Sequence, residues 1–176
     1  MKIPKSLRKK ALIIIDLQPA FINKRNKYII KNIKKLIETN YYDIYIESIF
    51  YAESGSLWDK QQKWICPKNK NSHTIKEILN LLKNKKVFHT EKTTRSVLKI
   101  SGIIKILNEN KIKEVHIIGL QTNDCVLATA FESFDLGFFT YIIEECCEAE
   151  TSKEHKLGME ILRKQNLTNN SQIAKS

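Results

Sequence analysis

The sequence predicts an α/β fold, a single three-layer α/β/α domain around a central parallel sheet of five to six strands. Short apolar segments alternate along the chain with longer segments of helical periodicity. The apolar segments are continuous, which is typical of strands buried on both faces. No internal repeat or low-complexity tract interrupts this succession. Strands and helices that alternate in this way form parallel sheets with right-handed crossovers.

Length and composition limit the class of protein. The chain has 176 residues, of which 42% are hydrophobic, enough for one substantial core. We therefore expect one domain over residues 1–176, with its core at about 11–168. No segment has the roughly 20 apolar residues of a membrane span, and the basic start lacks the pattern of a signal peptide. We expect no membrane partner.

The charge distribution and the cysteine content indicate which partners and which compartment to expect. The net charge of +11 comes from lysines spread along the whole chain, without a recognition motif, so we expect no nucleic acid partner. The four cysteines form neither CxxC pairs nor a dense disulfide framework. They are Cys66, Cys125, Cys146 and Cys147. A cytoplasmic, reducing compartment is the expected location.

The first part of the chain supplies two strands and a crossover helix. Residues 11–16 form a short apolar strand that ends in Asp16. Apolar residues recur at helical spacing over 26–40, and 42–51 is rich in aromatic and β-branched residues, as strands are. Residues 52–71 lack a sustained period and are predicted to form a long loop with at most one helical turn. Such loops often carry function.

The remainder continues the alternation and ends in a helix and a short edge strand. The predicted elements are helix 75–82, strand 86–89, helix 103–110, strand 114–119, helix 125–136, strand 138–144, helix 152–165 and strand 167–173. In such sheets ligands bind outside the carboxyl ends of the strands. Three chemically capable residues fall at those ends, namely Asp16, Lys92 and Cys125.

Cys125 is the candidate nucleophile because it follows a buried strand and a tight turn and is predicted to open a helix. A helix amino terminus offers unpaired N–H groups and a positive dipole end, which lower a thiol pKa. Lys92 adds a positive charge, and Asp16 can relay the thiol proton to a leaving amine. Taken singly, these residues also fit a packed thiol, a solvated lysine and a helix cap. Their convergence at one sheet edge favours catalysis.

Three segments resemble motifs of the isochorismatase-like cysteine hydrolases, a family that includes nicotinamidases, N-carbamoylsarcosine amidohydrolases, ureidoacrylate amidohydrolases and isochorismatases. DLQPAF at 16–21 resembles its D-x-Q-x-x-F element, and KTTRS at 92–96 its K-x-x-x-S element. GLQTNDCVLAT at 119–129 resembles its G-x-x-T-x-x-C-V-x-x-T element. The resemblance runs in the family's order from residue 11 to about 167.

The resemblance implies a role for each motif residue. Asp16 is implied as the general acid and base, Lys92 as a stabiliser of charge, and Cys125 as the residue that forms a thioester. It also implies a cis peptide between Leu120 and Gln121. The backbone N–H groups of Gln121 and Cys125 would then form an oxyanion hole.

The chain departs from the family at the position of the metal. Metal-dependent nicotinamidases carry Asp-x-His after the second strand, whereas residues 47–53 here contain no histidine. Glu53, Cys66 and His73 lack the spacing of a zinc site. We therefore expect no metal and no other cofactor.

The long loop is expected to shape the substrate pocket, since small-molecule sites are mostly apolar with a few polar contacts. Phe21, Trp58 and Trp64 are candidate walls, although plain packing or a subunit contact explains each tryptophan equally well. Asn123 either orients a carbonyl or amide group of the substrate or caps the helix.

These residues favour hydrolysis of a C–N bond in a small amide or ureido compound through a cysteine thioester. Two alternatives stay open: vinyl-ether hydrolysis of the isochorismatase type, and a non-catalytic binding or assembly protein on the same fold. The expected partners are a small-molecule substrate and, from the resemblance, further copies of the chain in a homo-oligomer.

Overall fold

The structure is a computed structural model that describes residues 7–168. These residues form one α/β domain around a parallel five-stranded sheet with the strand order β3-β2-β1-β4-β5. The strands are β1 Lys9–Ile15, β2 Ile44–Phe50, β3 Val87–Lys92, β4 Ile112–Leu120 and β5 Phe139–Glu148. The predicted fold class is confirmed, whereas the extent of the domain over 1–176 stays a prediction.

The sheet is parallel and central because its inner strands are apolar on both faces. Residues 11–15 of β1 are fully buried, and β2 is buried along its whole length. The register fixes the edge where the strands end, since Ile15 of β1 lies level with Ser48 of β2 and Gly119 of β4. Phe50 of β2 in turn lies level with Lys92 of β3.

Helices connect the strands and cover the sheet. They are α1 Ile29–Glu38, α2 Leu57–Gln62, α3 Lys76–Leu82, α4 Ile103–Glu109, α5 Leu127–Asp135 and α6 Ser152–Lys164. α1 packs against α3 and β5, and α5 against β4 and β5. The loop predicted at 52–71 contains α2, which is six residues long. Within residues 7–168, no helix combines the length and the apolar character needed to cross a membrane.

The predicted helix start at Cys125 is wrong. Thr122–Val126 forms a π-helical turn, in which the carbonyl of Gln121 accepts the N–H groups of Asp124 and Val126, both at 3.1 Å. Cys125 therefore lies within this turn, and α5 begins only after it. Asn123 also lies within the turn, so it does not cap the helix.

The remaining differences concern strand ends. β3 and β5 continue to Lys92 and Glu148, beyond the residues predicted for them. Of the edge strand predicted at 167–173, residues 169–173 lie outside the described part of the chain. Thr168 forms a single parallel bridge with Ile142.

Candidate active site

The carboxyl edge of the sheet brings Asp16, Lys92 and Cys125 into direct contact. Lys92 Nζ donates to Asp16 Oδ2 at 2.7 Å, to Cys125 Sγ at 3.2 Å and to the carbonyl of Thr94 at 3.2 Å. The ammonium has three N–H donors, so all are used. The three residues are 2%, 1% and 7% exposed, respectively. A charged group at this depth is stable only when it is paired, as Lys92 is.

Lys92 reaches this position from a strand that is not adjacent to β1. It ends β3, and β2 lies between β3 and β1. The lysine side chain crosses the end of β2, where its Nζ lies 4.8 Å from the centre of the Phe50 ring. An aromatic face attracts an ammonium group, so Phe50 supports the charge while the side chain spans the strand.

Asp16 is held by groups from the neighbouring strand. Its backbone adopts the left-handed conformation, with φ of 54°, and its N–H donates to the carbonyl of Ser48 at 3.0 Å. The Ser48 hydroxyl donates to Asp16 Oδ1 at 3.1 Å. Gln18 hydrogen-bonds both the N–H and the carbonyl of Phe50, at 2.6 and 3.0 Å. These bonds fix the loop after β1 against the end of β2.

The turn that carries Cys125 is confined between β1 and α6. Gly119 has φ of 118°, and a Cβ there would lie 2.1 Å from the carbonyl oxygen of Ile15, so only glycine fits. The peptide between Leu120 and Gln121 is cis, as the family resemblance implies. On the other side, a Cβ on Gly158 of α6 would lie 2.9 Å from the backbone of Asn123.

Two threonines of the GLQTNDCVLAT motif fasten this turn. Thr122 Oγ1 lies 2.9 Å from His155 Nδ1 of α6. Thr129 donates its hydroxyl proton to the carbonyl of Cys125 at 2.7 Å and accepts the N–H of Val97 at 3.3 Å. The backbone that carries the Cys125 sulfur is therefore held by contacts with α6, with α5 and with the segment at Val97.

Burial and charge set the protonation of the three groups. Burial, reinforced by the negative charge of Asp16, raises the pKa of the Cys125 thiol despite the opposing charge of Lys92. Burial also raises the pKa of Asp16, against the opposing effect of Lys92. Although burial by itself lowers the pKa of Lys92, the contacts with Asp16 and Cys125 raise it overall.

The predicted lowering of the Cys125 pKa is therefore wrong. The sulfur lies in the buried interior of the π turn beside a carboxylate, and not at an open helix start. The raised pKa of Cys125 favours the protonated thiol in the resting site. Asp16 is a strengthened base next to it, and Lys92 stays charged.

A cavity of about 380 Å³ adjoins Asp16 and Cys125. Four aromatic rings line it: those of Phe21, Phe50, Trp58 and Trp64. Phe50 packs 5.0 Å from Trp58 and 5.8 Å from Trp64, and Phe21 lies 6.3 Å from Trp64, measured between ring centres. The three aromatic residues expected at the pocket thus line it and also pack together.

The cavity also has polar lining residues. Gln121 and Asn123 line it, and their side-chain oxygens are buried without a hydrogen-bond partner among the described residues. Arg95 forms an ion pair with Asp124, and its guanidinium lies 4.4 Å from the centre of the Trp58 ring. The arrangement combines a thiol, a base and a fixed cation beside a pocket for a small molecule.

Comparison with known proteins now decides the family. Residues 10–171 match the family model for the isochorismatase domain. A Bacillus subtilis (strain 168) protein, the isochorismatase family protein YrdC, is 34% identical over 149 residues, which cover 80% of this chain and 74% of that one. The chain belongs to the isochorismatase family. Members of this family are hydrolases.

Solved structures share the fold of this isochorismatase-family chain. The pyrazinamidase/nicotinamidase of Streptococcus mutans UA159 superimposes with a TM-score of 0.78 at 20% identity, covering 89% of this chain and 97% of its own. The N-carbamoylsarcosine amidase of Thermoplasma acidophilum gives 0.77 at 19% identity, with coverage of 92% and 94%. At these identities the likeness establishes the α/β architecture alone.

The residues near the second strand do not fit the metal site of the family's metal-dependent members. The Glu53 carboxylate accepts the N–H of Lys68, and His73 Nδ1 bonds the carbonyl of Thr74. Over residues 7–168, no group of three or more histidine, cysteine, aspartate or glutamate side chains converges on a common point.

Several residues of the isochorismatase-family site were missed in the sequence. Gln18 lies in the DLQPAF motif and Arg95 in the KTTRS motif, so their positions within these motifs could have indicated a place at the site. Ser48 and Phe50 end an ordinary apolar strand, whose composition does not reveal that they face Asp16 and Lys92. Cys146 and Cys147 are free thiols buried in β5.

Proposed function

We propose that this chain is a cysteine hydrolase that cleaves the C–N bond of a small amide or ureido compound through a thioester on Cys125. The observation that supports this most strongly is Lys92 Nζ, which contacts Asp16 at 2.7 Å and Cys125 at 3.2 Å beside the cavity. One ammonium group holds the proposed base and nucleophile in a single cluster.

The first half of the proposed reaction forms the thioester. Cys125 Sγ attacks the substrate carbonyl carbon while Asp16 accepts the thiol proton, so that no free thiolate has to persist. The carbonyl oxygen becomes an oxyanion, for which we propose the backbone N–H groups of Gln121 and Cys125 as donors. Asp16 then gives its proton to the leaving nitrogen, and the C–N bond breaks.

The second half regenerates the site. Water attacks the thioester carbon, and Asp16 accepts a proton from it. The C–S bond breaks, the acid product leaves, and the sulfur recovers the proton from Asp16. Lys92 stays charged throughout, which is consistent with its raised pKa.

A substrate panel tests this proposal. Nicotinamide, carbamoyl amino acids, ureidoacrylate, the cationic amide 5-aminopentanamide and isochorismate are incubated with the parent enzyme and with Cys125→Ala. Ammonia release is measured for the nitrogen compounds, and cleavage of the vinyl ether is measured for isochorismate. We expect turnover of at least one compound and a loss of roughly 10³-fold in Cys125→Ala. The control, Cys66→Ala, keeps parent activity because Cys66 lies outside the cluster. Inertness across the panel would favour the binding alternative, and product from isochorismate alone would favour vinyl-ether hydrolysis.

The expected homo-oligomer and cytoplasmic location are also proposals. Exposed apolar side chains support assembly: Phe134 is 60% exposed and Leu136 43%, at the end of α5. Light scattering at several protein concentrations measures the molar mass in solution and so tests the homo-oligomer. A monomer at all concentrations would contradict it.

A further inference from the structure

The lining of the cavity carries an excess of negative charge, although the whole chain has a net charge of +11. Among the described residues that line it, one is a cation, Arg95. The acidic residues are Asp16, Asp124, Glu150 and Glu154. The local charge is thus opposite in sign to that of the protein as a whole.

Two of these four carboxylates are balanced by cations, and two are not. Asp16 pairs with Lys92, and Asp124 pairs with Arg95. The Glu150 carboxylate has no hydrogen bond or ion pair within residues 7–168. Glu154 uses one oxygen, Oε2, to accept the N–H and hydroxyl of Thr151 at the start of α6.

Arg25, which contacts the backbone of Glu150, already pairs with another carboxylate. The Arg25 guanidinium pairs with Glu148 and donates to the backbone carbonyls of Ala149 and Glu150. The positive charge of Arg25 is therefore neutralised by Glu148, which does not line the cavity. Within residues 7–168, neither Glu150, which is exposed, nor Glu154, in the first turn of α6, has an ion-pair partner at the cavity.

The other walls of the cavity favour the same kind of ligand. Aromatic faces attract cations, and within residues 7–168 a cation lies over the lining rings of Phe50 and Trp58 but over neither Phe21 nor Trp64. The buried side-chain oxygens of Gln121 and Asn123 have no hydrogen-bond partner among the described residues, and such an oxygen is satisfied by an N–H or O–H group. Both features suit a ligand rich in donors or positively charged.

We propose that the cavity selects amide or ureido compounds that carry a positively charged group, such as an ammonium or guanidinium, at the end remote from the scissile carbonyl. Glu150 and Glu154 are the residues that determine this specificity. The inference rests on the proposed hydrolase function. It implies that compounds with a carboxylate at that end, including carbamoyl amino acids and ureidoacrylate, are poor substrates.

Charged thiol reagents test the selection without requiring turnover. In a Cys66→Ser background, Cys125 is treated with aminoethyl (cationic), methyl (neutral) and sulfonatoethyl (anionic) methanethiosulfonate. Each forms a mixed disulfide and releases methanesulfinate. Rates from intact mass are divided by the rate of each reagent with 2-mercaptoethanol. We expect the cationic reagent to exceed the anionic one about tenfold, since charged clefts concentrate ions of opposite sign.

A matched pair of variants identifies the source of the preference. Glu150→Gln/Glu154→Gln is expected to remove it, and glutamine at 154 can still make the cap of α6. The control, Glu77→Gln/Glu109→Gln, changes the net charge equally at exposed ion pairs far from the cavity and is expected to keep it. Equal rates, a faster anion, or loss of the preference in the control would overturn the inference. Failure of all three reagents at Cys125 would overturn both proposals.

Three amides of equal chain length separate the two proposals. They are 5-aminopentanamide (cationic), pentanamide (neutral) and the monoamide of glutaric acid (anionic). We expect kcat/KM to fall in that order, by about tenfold between the first and last. Hydrolysis with the reverse order would overturn charge selection and leave the hydrolase proposal standing. No hydrolysis of these amides or of any panel compound, together with a cationic preference of the thiol reagents, would overturn the hydrolase proposal and leave the charge preference of the cavity standing.

Discussion

Both edges of the sheet bury ionisable groups, but the groups at the two edges have different surroundings. At the amino edge, Glu114 and His116 of β4 are fully buried, with Glu114 accepting from Arg8 at 3.3 Å and bonded to His116 at 2.9 Å. His116 also bonds Tyr42 at 2.9 Å. At the carboxyl edge, Asp16 is equally buried and bonds Lys92 and Ser48, but it lies beside a thiol and a cavity.

The net pKa shifts of the two carboxylates have opposite signs. Burial alone raises the pKa of Glu114, but its bonds to His116 and Arg8 outweigh burial and lower it overall. For Asp16, the effect of burial exceeds the opposing effect of Lys92, so the pKa of Asp16 is raised. A carboxylate that exchanges protons with a neighbour must not be stabilised too strongly as an anion. The comparison therefore supports a structural role for the buried cluster at the amino edge and the proposed catalytic role for the carboxyl edge.

The largest expected effect is at the carboxyl edge. Asp16→Asn removes the proposed base while keeping the shape of the side chain, so we expect kcat to fall roughly 10³-fold. Steady-state ammonia release on the best panel substrate measures it. The matched change at the amino edge, Glu114→Gln, should leave kcat within about twofold of the parent. Equal losses in the two variants would break the comparison.

The next effect concerns the backbone that supports the carboxyl edge. A Cβ at Gly119 would lie 2.1 Å from the Ile15 carbonyl oxygen, and backbone cannot move aside as a flexible side chain can. We expect Gly119→Ala to lower the free energy of unfolding by about 3 kcal/mol or more. Gly137, also at positive φ, has open space, so Gly137→Ala should cost only about 1 kcal/mol. Urea denaturation of both variants measures the difference, and similar costs would contradict the account.

Glu114→Gln is expected to affect stability instead of activity. It leaves Arg8 and His116 without their carboxylate, so we expect a loss of about 2 kcal/mol at neutral pH. Because the folded pKa of Glu114 lies below its ordinary value of 4.5, its stabilisation is present above that value and is lost as pH falls through the folded pKa. The difference between parent and variant should therefore shrink in acid. Urea denaturation at several pH values measures the free energy of unfolding of parent and variant. A difference between them that stays constant from neutral to acid pH would refute this assignment.

The smallest effect is a displacement of the pH profile. Asp16 must be ionised to accept the thiol proton, and its pKa is raised from the ordinary 3.8. The acid limb of kcat/KM should therefore lie at higher pH than an ordinary aspartate would give, with activity rising as pH increases through it. A limb at or below 3.8 would show that burial does not control this carboxyl group.

The sequence predicts the sheet and the three central residues because both depend on local patterns. Continuous apolar runs identify buried strands, and parallel strands bring Asp16, Lys92 and Cys125 to one edge wherever the flanking loops lie. The path of Lys92 over Phe50 was beyond prediction, because it depends on strand order. The π turn also depends on contacts distant in sequence, since Gly158 of α6 determines how closely that helix approaches.

The thiol pKa and the acidic lining were missed for a related reason. Position after a strand indicates a helix start, but burial of Cys125 arises from packing of the whole edge. Glu150 and Glu154 follow β5 and have no motif of their own. Only the fold brings them to the cavity that Phe21 and Trp58 reach from other segments.

Acid-quenched intact-mass analysis of the enzyme during turnover of its best amide substrate tests the central claim most directly. The account predicts a protein species heavier by the acyl group, with peptide mapping placing it on Cys125, and neither adduct nor appreciable turnover in Cys125→Ala. Turnover of the same substrate by Cys125→Ala at the parent rate would contradict it.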